Sequence, residues 1–498
     1  MPGPALRRPP ARRPVRPSAV RRRRLRAAAL LALAVLVGLG VALAVRGGSG
    51  GGDGGRLRPG SKAGQGTDPL RYDPSRRAGF EARAAAGLAH VLYAKSPGGA
   101  VASARRTARW RPLVEAAARP AGLDPNVLEA IVLLESAGRE DAMASSDLAG
   151  AAGLTQILAE TATNLLGLHV DVRASARLTR GIARGHRVAA RVRERRRVDE
   201  RFDPAKALAA TARYLVLARK TLGRDDLAVV SYHMGIGNLQ QALAAYGEKR
   251  IPYAQLFFDS SPAHHPKAWT KLASLGDDSS TYLWRVRAAE QIMRAYRSDP
   301  AGLAATAALQ TGRNSAELVL RPPSSTPAFA DAAAIRRATT AGSVLPLDAA
   351  GLAPYGVRIH PSMGELGPRL GTTKRLYRVL RPEALAVVRY LGAGTQAISG
   401  AKPLVLTSAT RDTRYQRALG RANPEATHAF SEHTTGFAFD VSRTYASRAQ
   451  AQAFQFLLDR LTALDVIAWV REPAAIHITA GPRAAELLGL LGRGAPKP

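Results

Sequence analysis

The chain has 498 residues, 46% of them hydrophobic, which is too long for one typical core and enough for two folded domains with accessory segments. It contains no cysteine, so disulfides and thiol catalysis are excluded. The formal net charge is +34, but much of it sits in the first 26 residues. No aromatic-interleaved basic motif or zinc-finger spacing accompanies the rest, so the expectation is no nucleic-acid partner but a basic surface that tolerates anionic polymers.

Residues 1–26 form a basic tail containing Arg7, Arg8, Arg12, Arg13, Arg16 and the run Arg21 to Arg24. An uncharged stretch follows from Ala27 to Val45, nineteen residues. That is close to the ~20 residues a membrane-crossing helix needs, and the basic flank predicts a cytoplasmic N-terminus. A single-pass anchor with the remainder extracytoplasmic is therefore expected. The alternative is a cleaved leader, because Ala42-Leu43-Ala44 resembles a cleavage site, although the run exceeds the usual apolar length of roughly 7–15 residues. Residues 46–104 read as a flexible linker, on the strength of the glycine-rich Gly47–Gly55.

Residues 105–297 read as an all-helical domain. Asp124-Pro125 is a start signal, with Asp capping and Pro at the first helical position. Val127, Ile131 and Leu134 follow helical spacing, and Gly138 is the expected stop. Asp203-Pro204 starts a second helix that runs through Tyr214 and Leu217 to Gly223. The arginine-rich stretch from Arg173 to Arg201 reads as a solvated helix or insertion.

Three short blocks in this domain carry the chemistry: Glu135-Ser136, then Gly153-Leu154-Thr155-Gln156, then Ser231-Tyr232-His233-Met234-Gly235. Their order resembles the soluble lytic transglycosylase family, with its goose-lysozyme-like fold. That family shows a Glu-Ser pair, a Gly-Leu-Met-Gln block and an Ala-Tyr-Asn-Ala-Gly block. Thr155 and His233 stand where the family has Met and Asn. The resemblance implies that Glu135 is the catalytic acid, that Ser136 supports it, and that Gln156, Tyr232 and His233 lie along the glycan. The physics agrees: an apolar run, Ala130 to Leu134, precedes Glu135, and desolvation raises a carboxyl pKa toward that of a proton donor. No equally placed second carboxylate is evident, and Asp147 is the nearest candidate. A single carboxyl suits a lytic transglycosylase, which needs no cofactor. There the substrate's own 6-hydroxyl attacks and leaves a 1,6-anhydro end. Peptidoglycan is the implied partner.

Residues 298–343, rich in Ala, Thr, Ser and Pro, read as a linker, with a short helix near Ala328–Arg337. Residues 344–498 read as an α+β domain. Helices are expected over Pro382–Gly392 and Arg448–Leu464, and strands over Pro403–Ser408, Phe437–Val441 and Ile476–Thr479. The informative pieces are Ser408-Ala409-Thr410-Arg411, the block Ser431 to Asp440, and Ile476-His477-Ile478. They resemble the D-Ala-D-Ala carboxypeptidase family of zinc enzymes, whose pattern is Ser-x-x-Arg, Ser-x-His-x-x-Gly-x-Ala-x-Asp and a late His. The resemblance implies zinc on His433, Asp440 and His477, with Arg411 stabilising the oxyanion and stem peptides as substrate. The family's general base lies three residues before the last His. Here that position is Ala474, so Glu472 is the candidate base. The expected fold class is thus multi-domain: a transmembrane helix, an all-α lysozyme-like domain and an α+β zinc-peptidase-like domain. The alternatives are a glycan-cleaving enzyme with a degenerate wall-binding C-terminal domain and a non-enzymatic wall-binding scaffold.

Overall fold

The computed structural model describes residues 68–312, 315–401, 403–422 and 430–492. The basic tail and the run Ala27–Val45 lie outside these residues. Among the described residues, no helix is long and apolar enough to cross a membrane.

The first part is helical. Its central helix is Pro125–Ser136, whose Asp124 cap accepts a hydrogen bond from the Asn126 N–H at 2.8 Å. Helices Ala100–Ala108, Arg111–Ala118 and Tyr282–Ser298 pack around it, so Leu128, Ala130, Ile131 and Val132 are all fully buried. The left-handed stop begins one residue before the expected Gly138, at Ala137 (φ 53°). The Ala137 N–H bonds to the Leu133 carbonyl, which gives the capped ending usual for a left-handed terminus. Gly138 is needed for a second reason: a Cβ there would meet the Thr107 backbone nitrogen at 2.5 Å. The helix from Asp203 spans Pro204–Leu222 and ends on left-handed Gly223, as its sequence signals predict.

Three sequence expectations are corrected here. Residues 46–104 are not all spacer, because helices Arg77–Gly87 and His90–Lys95 lie within them and helix Ala100–Ala108 begins there. Phe80 is buried against Tyr72 and Phe258, and that apolar spacing was hidden by the glycine run before it. Residues 298–343 are not a bare linker either. They form helices Pro300–Thr311, Ser315–Leu320 and Ala332–Thr340. Alanine-rich composition fits helix as well as connector, and packing decides. Finally, the Arg173–Arg201 stretch folds as two helices, Val172–Ala183 and Val188–Val198, but is not wholly solvated. Arg201 is fully buried on Asp199 at 2.8 Å, and its guanidinium also donates to the carbonyls of Leu148 and Gly150 at 2.7 Å each. Such a buried pair is sustained by hydrogen bonds that satisfy its remaining donors.

The C-terminal part is α/β. Strands β1 (Leu345–Pro346) and β3 (Val379–Leu380) form a small antiparallel pair. The main sheet contains β2 (Val357–Ile359), β4 (Leu404–Ser408), β5 (Ala438–Ser442), β6 (Ile467–Arg471) and β7 (Ala475–Ala480), in the order β2-β4-β5-β7-β6. Only β2 and β4 are parallel. Helices Pro382–Ser399 and Arg448–Ala463 pack together behind the sheet, and Phe439, Val441 and Ile478 join their core. Side chains alternate along a strand, so Asp440, His477 and Thr479 are left on the opposite face. The two parts share a contact at Arg460, which donates to the carbonyls of Phe258 (2.8 Å) and Leu70 (3.1 Å).

Candidate active site and metal centre

Glu135 sits on the last turn of the central helix, half-buried. Its Oε1 accepts a hydrogen bond from the Tyr282 hydroxyl at 2.7 Å. Burial pushes the Glu135 carboxyl up to about 7. The Tyr282 bond pulls it down, the Asp278 charge pushes it up, and Arg285 pulls it down again. A carboxyl tuned this way is protonated for part of the time near neutral pH, which general acid catalysis requires.

The three sequence blocks meet through Tyr282, which no sequence pattern singled out. Tyr232 lies parallel to Tyr282 at 6.4 Å and edge-on to Tyr214 at 5.4 Å. Its hydroxyl donates to the Thr155 carbonyl at 2.7 Å, tying it to the Gln156 loop. Gln156 has a left-handed φ of 53°, and its amide donates to the carbonyls of Ala142 (3.1 Å) and Gly153 (2.9 Å). Gly153 is needed because a Cβ there would strike the Arg201 carbonyl oxygen at 1.9 Å. The buried Arg201 therefore braces this loop from behind. The Ser136 hydroxyl bonds back to the Val132 carbonyl at 3.1 Å, so it is not brought to Glu135. His233 is exposed, stacks on Tyr282 at 5.2 Å, and bonds Ser279 through Nδ1 at 2.9 Å.

A cavity of about 290 Å³ opens beside Glu135, lined also by Leu134, Arg139, Asp278 and Arg285. One wall comes from Val91–Pro97, within the stretch expected to be spacer. Asp147, the second carboxylate suggested by sequence position, is exposed and caps its own turn through Ala149. Asp278 is the carboxylate that shares the cavity. Burial pushes Asp278 up, but the bound Arg285 outweighs it and leaves the carboxyl below its ordinary range.

The C-terminal cluster is built by strand register. Asp440 on β5 pairs directly with His477 on β7, which puts both side chains on one face. The short turn Glu432–Thr435 supplies His433. Asp440 Oδ1 lies 3.1 Å from His433 Nε2 and 2.9 Å from His477 Nδ1, and those two nitrogens are 3.1 Å apart. Each imidazole is held at its other nitrogen by an acceptor: His433 Nδ1 donates to the Ala409 carbonyl at 2.7 Å, and His477 Nε2 donates to Glu317 Oε2 at 2.6 Å. In the neutral tautomers that these acceptors favour, two lone pairs and a carboxylate oxygen converge. Three ligands about 2.0–2.1 Å from one tetrahedral ion would lie about 3.3 Å apart, so the donor set fits a zinc ion. The pocket favours positive charge: burial disfavours it on His477, yet Asp440 and Glu317 outweigh burial and carry the ring up to about 10, so a bound cation would take the place of the Nδ1 proton. Burial likewise pushes Asp440 up, while His433 and His477 hold it well below the carboxylate range.

Arg411 donates to Ser408 Oγ at 2.7 Å, Gln416 at 3.0 Å and Asp440 Oδ2 at 3.2 Å, so the structure brings it to the cluster. Glu472 lies in the β6–β7 turn, where its backbone N–H bonds the Ala475 carbonyl at 3.0 Å. The carboxylates that sequence reasoning missed are Glu317, on a helix within the supposed linker, and Glu432, buried beside His433 and pushed up to about 8 chiefly by burial.

Residues 182–254 match the transglycosylase SLT domain. The matched stretch contains the Pro204–Leu222 helix and the Tyr232 block, and Glu135 and Gln156 precede it. The match supports a transglycosylase-type activity on peptidoglycan for the helical part. It does not extend to the C-terminal part. No curated protein matches the chain.

Proposed function

We propose that the protein is a lytic transglycosylase that cleaves the glycan strands of peptidoglycan at the MurNAc–GlcNAc bond. The observation that carries this reading is the Glu135 carboxyl, raised to about 7 and bound by Tyr282 beside an open cavity. Burial keeps the Tyr282 hydroxyl protonated, so it occupies Oε1 as a donor and leaves Oε2 to carry the mobile proton. Glu135 gives that proton to the glycosidic oxygen as the bond to C1 breaks. The 6-hydroxyl oxygen of the same sugar then bonds C1, and its proton returns to Glu135. The product is a 1,6-anhydro end, and no water is consumed. Tyr232, Gln156 and His233, outside the lining of that cavity, are the residues proposed to meet the glycan beyond it, and Arg285 balances the charge on Asp278. Replacing Glu135 with Gln keeps the shape and removes the proton. Release of soluble fragments from purified peptidoglycan should then stop, and undiminished release would sink the reading.

A second reading has a specific observation behind it. Asp278 lies in the same cavity, ionised and held by Arg285. Two carboxyl groups with a water between them are the equipment of an inverting hydrolase. Reducing ends in place of anhydro ends would favour it.

For the C-terminal part the proposal is a zinc site on His433, Asp440 and His477 that acts on or holds stem peptides. When bound, zinc supplies Lewis-acid activation of water and of an amide carbonyl. Arg411 is placed to stabilise negative charge on that carbonyl, and Glu472 is the candidate proton acceptor. The run Ala27–Val45 behind its arginine cluster supports attachment to the cell membrane, with both parts facing the wall. Such a placement would let one chain trim glycan and peptide together.

A further inference from the structure

Glu317 has no place in the chemistry above, yet it is buried against His477, one of the three proposed zinc ligands. It lies on the helix Ser315–Leu320, between the helical part and the sheet. Its Oε2 accepts from His477 Nε2 at 2.6 Å and from Thr479 Oγ1 at 2.7 Å, and the residue is 2% exposed. Thr479 follows His477 by two on β7, so both donors rise from the same face of one strand. We propose that Glu317 is a positioning residue for the metal centre: it fixes the tautomer and ring orientation of His477 so that Nδ1 presents its lone pair beside Asp440 Oδ1 and His433 Nε2. This rests on the zinc reading of that cluster.

The argument is one of proton placement. A neutral imidazole carries one N–H, and the nitrogen that has it cannot ligate. A carboxylate accepts only, so when a metal displaces the other proton Glu317 keeps the hydrogen on Nε2 and leaves Nδ1 to ligate. The Ala409 carbonyl does the same for His433 from the other side, holding the hydrogen on Nδ1. The two rings thus use opposite nitrogens, each set by its outer partner. An ionised partner also raises the basicity of the ring it binds. Thr479 supplies a second hydrogen bond to the same Oε2 and keeps the carboxylate from swinging away. The helix carrying Glu317 is fastened independently. Just beyond it, Arg321 donates to the Ala480 carbonyl at 3.1 Å and lies over the Phe437 ring at 3.6 Å. Docking of the helix and orientation of His477 can therefore be separated by mutation.

The test is titration of the full chain in detergent with Co²⁺, read by its visible absorption, and with Zn²⁺ against a chromophoric chelator. Glu317→Ala should weaken metal binding about 10–100-fold, the range found when outer-shell partners are removed. Glu317→Gln keeps an acceptor oxygen and should recover part of that loss. Arg321→Ala, which loosens the helix without touching His477, should bind metal as the unaltered chain does. Unchanged affinity in Glu317→Ala would overturn the proposal. So would an equal loss in Arg321→Ala, which would assign the effect to packing. An unaltered chain that takes up neither ion would instead overturn the zinc reading itself, and the proposal with it.

Discussion

Glu135 and Asp440 both carry carboxyl groups withdrawn from bulk water, yet their proton affinities move in opposite directions. Burial pushes each one up. Glu135 meets one neutral donor, Tyr282, with Asp278 and Arg285 of opposing charge nearby, so burial wins and the group reaches about 7. Asp440 meets two imidazoles and the Arg411 guanidinium, so the partners win and the group stays ionised. The difference teaches that burial alone does not mark a proton donor. A neutral partner leaves a buried carboxyl able to trade protons, whereas two imidazoles and a guanidinium keep it ionised and available to a metal.

The comparison breaks most visibly at Glu135. Glu135→Gln should cost about 10²–10⁴-fold in glycan cleavage, measured by fragment release, and leave metal affinity unchanged. The converse variant is His477→Ala, which should weaken zinc binding by more than about 100-fold in the chelator competition and leave glycan cleavage intact. A loss of both properties in either variant would mean that the two sites are not independent.

The pH profile sharpens it. Glu135 must be protonated to act as acid, so kcat/KM on glycan should fall above about pH 7. Tyr282→Phe removes a bond that favours the carboxylate, and should move that limb to higher pH with a loss of about tenfold or less. Asp278→Asn removes a charge that disfavours the carboxylate, and should move it to lower pH. Shifts of the same sign in both would contradict the assignment of the limb to Glu135.

The smallest effect is on stability. Folding raises the Glu135 pKa from 4.5 to about 7, so ionisation of this group costs stability. The cost is absent below pH 4.5, grows as pH rises and is complete above about 7. Glu135→Gln should therefore raise Tm by about 1–3 °C at pH 8, and by less at pH 5.

How much of this was legible in the sequence follows from where each signal lies. Asp124-Pro125 and Asp203-Pro204 named their helices because capping is a local matter of a few residues. The strand Ala438–Ser442 was legible to within a residue because the patterned block Ser431 to Asp440 runs directly into it. Tyr282 and Asp278 were not legible. They meet Glu135 only because the Tyr282–Ser298 helix packs on the central one, 147 residues away in sequence from Tyr282 to Glu135. Glu317 was hidden more deeply, in a stretch whose Ala and Ser content reads equally as connector. Its role appears only when β7 brings His477 within 2.6 Å. Arg201 shows the reverse failure. It reads as one more solvated arginine, yet three backbone carbonyls and Asp199 draw it fully inside.

The most direct test is mass spectrometry of purified peptidoglycan digested by the full chain, beside the Glu135→Gln and Asp278→Asn variants. The account predicts 1,6-anhydro-muramyl ends from the unaltered chain and from Asp278→Asn, and none from Glu135→Gln. Reducing ends that vanish in Asp278→Asn would contradict it and make the protein a two-carboxylate hydrolase.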